Sequence, residues 1–299
     1  MLLRTLVIFL AWSLVAHAGW LKPDIDYSNY DVPLYDQVVD RIKSKVSQRL
    51  GEGTNTHDRY FIIPFAYEND GNDPEFSHSF MTVIRVFADN RQPKPTKLAA
   101  GLKVGRYKNR EFEAFTISWL PSDFDKNPDL CVFHGFGARL VPEWNQCPVS
   151  PGKSFTLLET LKLAVSVKNA VAMWGPYEIS RGGFDVAVNR ELLLARGTIK
   201  YRADDRLCRK DRTAINCFHA IAGLEELFPN GGIFGTGFKM WGLNGTARVL
   251  IEYNTQAHIK GFLLEPVDVK KDRFGFVYAP SRNARGVYNP VRNAAAYRR

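Results

Sequence analysis

The chain has no CxxC pair of cysteines and no HExxH or HxH pair of histidines, and its four cysteines, at 131, 147, 208 and 217, are few for 299 residues. A zinc hydrolase and a disulfide-dense scaffold are thereby set aside. The glycine-rich stretch Gly231 to Gly237 lacks the Gly-Lys-Ser/Thr ending of a phosphate-binding loop and reads as a helix terminator and turn. No arginine and aromatic interleaving fits a nucleic-acid motif, so no nucleic-acid partner is expected. No internal repeat, low-complexity tract or linker divides the chain, and beyond the N-terminus no run is long enough to span a bilayer. What remains is 45% hydrophobic and 24% charged, an ordinary globular composition.

Residues 1–18 read as a secretory signal, with Arg4 as the basic region, Leu6 to Val15 as the apolar core and Ala16-His17-Ala18 as a small-x-small cleavage site. An exported location follows: periplasmic, extracellular or envelope-associated. The net charge of +9 is concentrated near the C-terminus, where residues 265–299 hold eight lysines and arginines against three acids. On an exported protein that excess favours an anionic envelope polymer or lipid headgroups, with peripheral membrane contact through the tail. In an oxidising compartment Cys131 and Cys147 can form one bridge, which leaves Cys208 and Cys217 to pair across the Arg209 to Arg212 turn or to stay free.

Residues 19–58 are expected to form a tether and an amphipathic helix, whose apolar Val38, Val39, Ile42, Val46 and Leu50 recur at helical spacing. Residues 59–265 follow as a single α+β domain, and 266–299 as a basic tail. Strands are expected at Arg59 to Tyr67, Phe76 to Phe87 and Glu111 to Leu120. The intervening 88–110 reads as a connection, and 121–155 as loop. Thr156 to Glu159 fits a capping box and opens a helix to about Met173. A second helix spans Phe184 to Ala195, a third runs from Cys217 to Phe228, and Thr246 to Tyr253 reads as another. Short strands are expected at Thr198 to Tyr201 and Ile259 to Val269.

Cys217 is the best candidate for chemistry, because a thiol at a helix start sits in the positive end of the helix dipole, which favours thiolate. A cysteine nucleophile needs a base, normally histidine. His219 is two residues away and turned about 200° from Cys217 on a helix. His57 and His134 lie in loops, and His258 stands at the entrance to the late strand. His78 is preferred: it begins a long strand whose partner carries Thr116 and Ser118 on one face, where either can orient the ring. No cofactor or metal is called for by this constellation. Trp119, Trp144, Trp174 and Trp241 can line a carbohydrate cleft, though core packing accounts for them more simply.

The order Phe76-Ser77-His78-Ser79-Phe80 before Asn216-Cys217-Phe218 resembles the circularly permuted branch of the papain-like, NlpC-type cysteine peptidases. The resemblance implies an antiparallel sheet packed against several helices, with the histidine strand before the cysteine helix. It further implies Cys217 as nucleophile, His78 as general base, Thr116 or Ser118 as orienter and the Cys217 backbone N–H in an oxyanion hole. The implied activity is amide or ester hydrolysis through an acyl-enzyme on an envelope substrate, either peptidoglycan peptides or lipid-linked acyl groups. Two departures stand out: Ser77 takes the place of the usual glycine, and 139 residues separate the histidine from the cysteine. The competing expectation is a non-catalytic envelope protein of the same fold that binds a glycan, lipid or protein.

Overall fold

The computed structural model describes residues 33–68, 77–90, 92, 94–96, 103–124, 147–166, 169–206, 208, 213–224, 238–239, 242–243, 246–247, 250 and 276–278. The chain is α+β, with a large antiparallel sheet and helices on both of its faces. Helix α1 spans Pro33–Leu50 and starts earlier than its apolar pattern, because proline fits the first helical position, where no N–H is required. Strands β1 (Arg59–Glu68) and β2 (His78–Val86) pair along their whole length. β3 (Lys103–Tyr107) and β4 (Arg110–Ile117) form a hairpin, and β4 continues the sheet beside β2. Part of the expected 88–110 connection is therefore a strand.

Within β1, Pro64 lacks the N–H that a central strand normally uses, and the sheet accommodates this by splitting the neighbour. β7 (Ala170–Met173) pairs with one end of β1 and β8 (Tyr177–Ile179) with the other. Between them the Trp174 N–H donates to the Pro64 carbonyl at 3.0 Å. Gly175 turns there with φ +88°, and a Cβ would meet the Ile62 carbonyl oxygen at 3.1 Å. The Arg59 guanidinium clamps this edge through two bonds to Glu178.

β5 (Trp119–Pro121) leaves the large sheet after one intervening residue, Ser118, and joins a second sheet in the order β10-β9-β6-β5. Here β6 is Ser150–Ser154, β9 Lys200–Tyr201 and β10 Ala214–Ile215. The reading of 121–155 as loop is corrected at β6. Pro151 and Gly152 hide that strand from propensity, but Gly152 is required, since a Cβ there would fall 2.0 Å from the Trp119 ring.

The capping box is present: the Thr156 N–H donates to Glu159 Oε2 at 2.7 Å and the Glu159 N–H to Thr156 Oγ1 at 3.2 Å. Helix α2, Leu157–Ser166, nevertheless ends before Met173, because the apolar residues 170–173 are taken by β7. α3 is Arg181–Ala195, capped by Ser180 and ended by Gly197 at φ +70°. α4 is only Cys217–Ile221, shorter than expected because Gly223 turns left-handed at φ +65°. β11 (Phe238–Lys239) pairs β12 (Gly242–Leu243), and β13 (Phe276–Tyr278) adds to β7, so the stretch read as a basic tail contributes a strand. Residues 1–18, the expected signal, and 259–269, the expected late strand, lie outside the described residues. Among the described residues no helix is long and apolar enough to cross a membrane.

The period of two divides the core. Phe61, Ile63, Phe65, Phe80 and Ile84 face α1 and α2, packing with Val38, Ile42, Val46 and Leu161. Ile62, Ala66, Met81, Val83, Phe115 and Ile117 face the other way, towards Phe184 and Ala187 of α3 and Phe218, Ala220 and Ile221 of α4.

Candidate functional site

Asn216 caps α4, its side chain accepting from the His219 N–H at 2.9 Å, so Cys217 does open a helix. The local environment opposes a thiolate. Cys217 is 2% exposed, and its Sγ lies 3.1 Å from Thr246 Oγ1. Burial pushes its pKa up to about 11, against the lowering effect of hydrogen bonds from Thr246 and from the backbone N–H groups of Ser79 and Phe218. The favourable dipole of a helix five residues long is outweighed by desolvation.

His78 lies 1% exposed, stacked on Phe80 at 5.4 Å and tilted against Tyr67 at 5.1 Å, within the core layer that faces α1 and α2. Its Nε2 is 2.9 Å from Ser118 Oγ, and the Thr160 hydroxyl donates to the same Ser118 oxygen at 2.7 Å. Nδ1 is buried without a hydrogen-bond partner. Burial depresses the pKa from 6.5 to about 3, which keeps the imidazole neutral.

The structure thus brings His78 to Ser118, as the period of two anticipates, and leaves Thr116 with another partner: its hydroxyl meets Thr82 at 2.9 Å, four residues further along β2. It does not join Cys217 to His78. Alternation along β2 is the reason. α4 packs on the opposite face, where the cysteine meets the residues flanking His78, through the Ser79 N–H and, by way of Thr246, the Ser77 carbonyl. Ser77, the residue before β2, also accepts from the Ala247 N–H at 2.7 Å and so anchors that segment at the start of the strand.

Of the other histidines, His57 is exposed beside Thr56, while His134 and His258 lie outside the described residues. His219, turned away from Cys217 as expected, has a partner that sequence reasoning missed: its Nδ1 meets the fully buried Asp205, which also accepts from the Asn216 N–H at 3.0 Å. The adjacent acids Asp204 and Asp205 were the available signal. Asp204 is occupied separately by Arg206.

Cys208 and Cys217 are both free, which overturns a bridge between them. Cys147 is disulfide-bonded, and Cys131, its expected partner, lies outside the described residues. Among the described residues no group of histidine, cysteine and carboxylate side chains is arranged to hold a metal ion.

A separate concavity of about 800 Å³ lies between α1, the loop at 51–54 and the β3–β4 hairpin, with Ile42, Val46, Ile84, Val86 and Phe112 among its walls. No family model, curated protein or solved structure matches this chain at a significant level.

Proposed function

We propose that this chain is an exported, non-catalytic binding protein on a papain-like scaffold, with Cys217 serving as a packed thiol. The observation that carries the reading is the environment of Cys217: a buried sulfur paired with Thr246, its pKa raised to about 11, and no imidazole among the described residues within hydrogen-bond reach. The papain-like layout is supported by the order of the histidine strand β2 before the cysteine helix α4 and by an antiparallel sheet with helices packed on it. Export is supported by the N-terminal pattern of basic, apolar and small residues and by the disulfide at Cys147. The excess positive charge favours an anionic envelope partner.

The hydrolase reading rests on one observation of its own, the His78–Ser118 hydrogen bond, which is the contact a base would make with its orienter. A thiol-directed acyl probe separates the two readings. With the native chain, label is expected on the half-buried Cys208 and absent from Cys217 until denaturant is added. Rapid labelling of Cys217 in the folded protein, lost in Cys217→Ser, would restore the enzyme.

A further inference from the structure

The concavity between α1 and the β3–β4 hairpin carries three features that packing alone does not explain. The first is backbone strain. Among the described residues Lys108 is the one non-glycine with positive φ, 53°, at the first position of the Lys108-Asn109 hairpin turn, where glycine would sit without cost. Strain of this kind persists where a side chain is needed in place.

The second is uncompensated charge. The Lys43 and Lys108 ammonium groups each lie 5.8 Å from the centre of the Tyr107 ring, so two like charges converge on one aromatic. Neither lysine has a carboxylate partner among the described residues. The third is an orphan donor. Arg110 spends its Nη2 on the carbonyls of Gly51 and Gly53, at 3.1 and 2.6 Å, while its Nη1 is buried without a partner. A buried guanidinium nitrogen left unpaired is costly unless an acceptor reaches it.

Cations lining the cavity are Lys43, Lys108 and Arg110, and carboxylates are Glu52 and Asp89, the latter accepting from the Asn55 N–H at 2.7 Å. The surplus of a single positive charge matches a monoanion. The walls beneath are aliphatic and aromatic, and the volume suits a small molecule.

We infer that this cavity binds the carboxylate end of a long-chain fatty acid, with the head group between Lys43, Lys108 and Arg110 and the chain on Val46, Ile84 and Phe112. The inference rests on the reading of the chain as a binding protein and supplies its ligand class. It is tested on the full chain by calorimetric titration with oleate, oleyl alcohol and acetate. Oleate is expected to bind with one site, and oleyl alcohol and acetate at least about tenfold more weakly, a margin that one well-placed charge pair or the apolar chain supplies.

The double variant Lys43→Ala, Lys108→Gly is expected to weaken oleate by about tenfold or more while its melting temperature holds, since glycine relieves the turn and alanine suits a helix interior. Absence of oleate binding, equal affinity for oleyl alcohol or acetate, or an unchanged affinity in the double variant would each overturn the assignment. Oleate affinity in Cys217→Ser is expected to equal that of the parent. Probe labelling of Cys217 therefore judges the non-catalytic reading, and oleate titration judges the cavity.

Discussion

Acidification from pH 6.5 to about 3 is expected to remove roughly 4–5 kcal/mol of folding stability through His78 alone. The folded imidazole holds its pKa near 3 because it is buried against Phe80 and Tyr67, whereas the unfolded one titrates at 6.5. Between those values the unfolded chain binds a proton that the folded chain refuses. Stability is therefore complete above 6.5 and falls as pH drops through the window. His78→Gln keeps a polar group near Ser118 and cannot take up the proton. Urea unfolding of parent and variant across this range should give curves that diverge by the stated amount, with the parent losing more. Parallel curves would show that His78 already carries its proton, and the neutral core imidazole would have to be given up.

Glu191 is expected to act from the alkaline side. It lies 7% exposed on the face of α3 turned to the sheet, with Oε2 unpaired. Burial raises its pKa to about 7, against a lowering hydrogen bond from Ser154. A folded carboxyl that holds its proton more tightly than the unfolded one stabilises most below the unfolded value of 4.5. That contribution drains away as pH climbs to 7, at a cost of about 3 kcal/mol. Glu191→Gln should consequently raise the unfolding free energy by about this amount well above pH 7 and change it little below 4.5. An equal effect at both ends would mean that the substitution acts through packing. With His78 penalising acid and Glu191 penalising base, greatest stability should fall between pH 5 and 7, far below the sequence pI of about 9.3.

Much of this architecture could be read from residues whose local chemistry points one way. The Thr156 to Glu159 capping box, the helical stripe of α1 and the long apolar strands β1 and β2 carry their own signals, and each formed where expected. Failures cluster where a long-range partner overrides local preference. β6 contains Pro151 and Gly152 and becomes a strand because β5 pairs with it, and residues 170–173 become β7 because β1 has an open edge there.

His78 and Cys217 are kept apart by a single step of alternation. Period-two reasoning put Ser118 on the face of His78, yet nothing local says that α4 docks on the other side, against Ser77 and Ser79. Asp205 escaped notice for the same reason, since its partner His219 lies 14 residues downstream. The lysines around Tyr107 gave no sequence signal at all, because their meeting depends on α1 lying across the β3–β4 hairpin.

Ser118 is the one residue between β4 and β5, and thus the corner at which the chain passes from the large sheet to the small one. Its hydroxyl meets His78 and Thr160, and its carbonyl accepts from the Phe155 N–H at 2.8 Å. Opening either sheet at that corner would leave a neutral imidazole and two hydroxyls stranded in apolar surroundings. Separate fraying of the small sheet is thereby suppressed, and slow amide exchange should extend from β2 through β5 and β6 as one cooperative block.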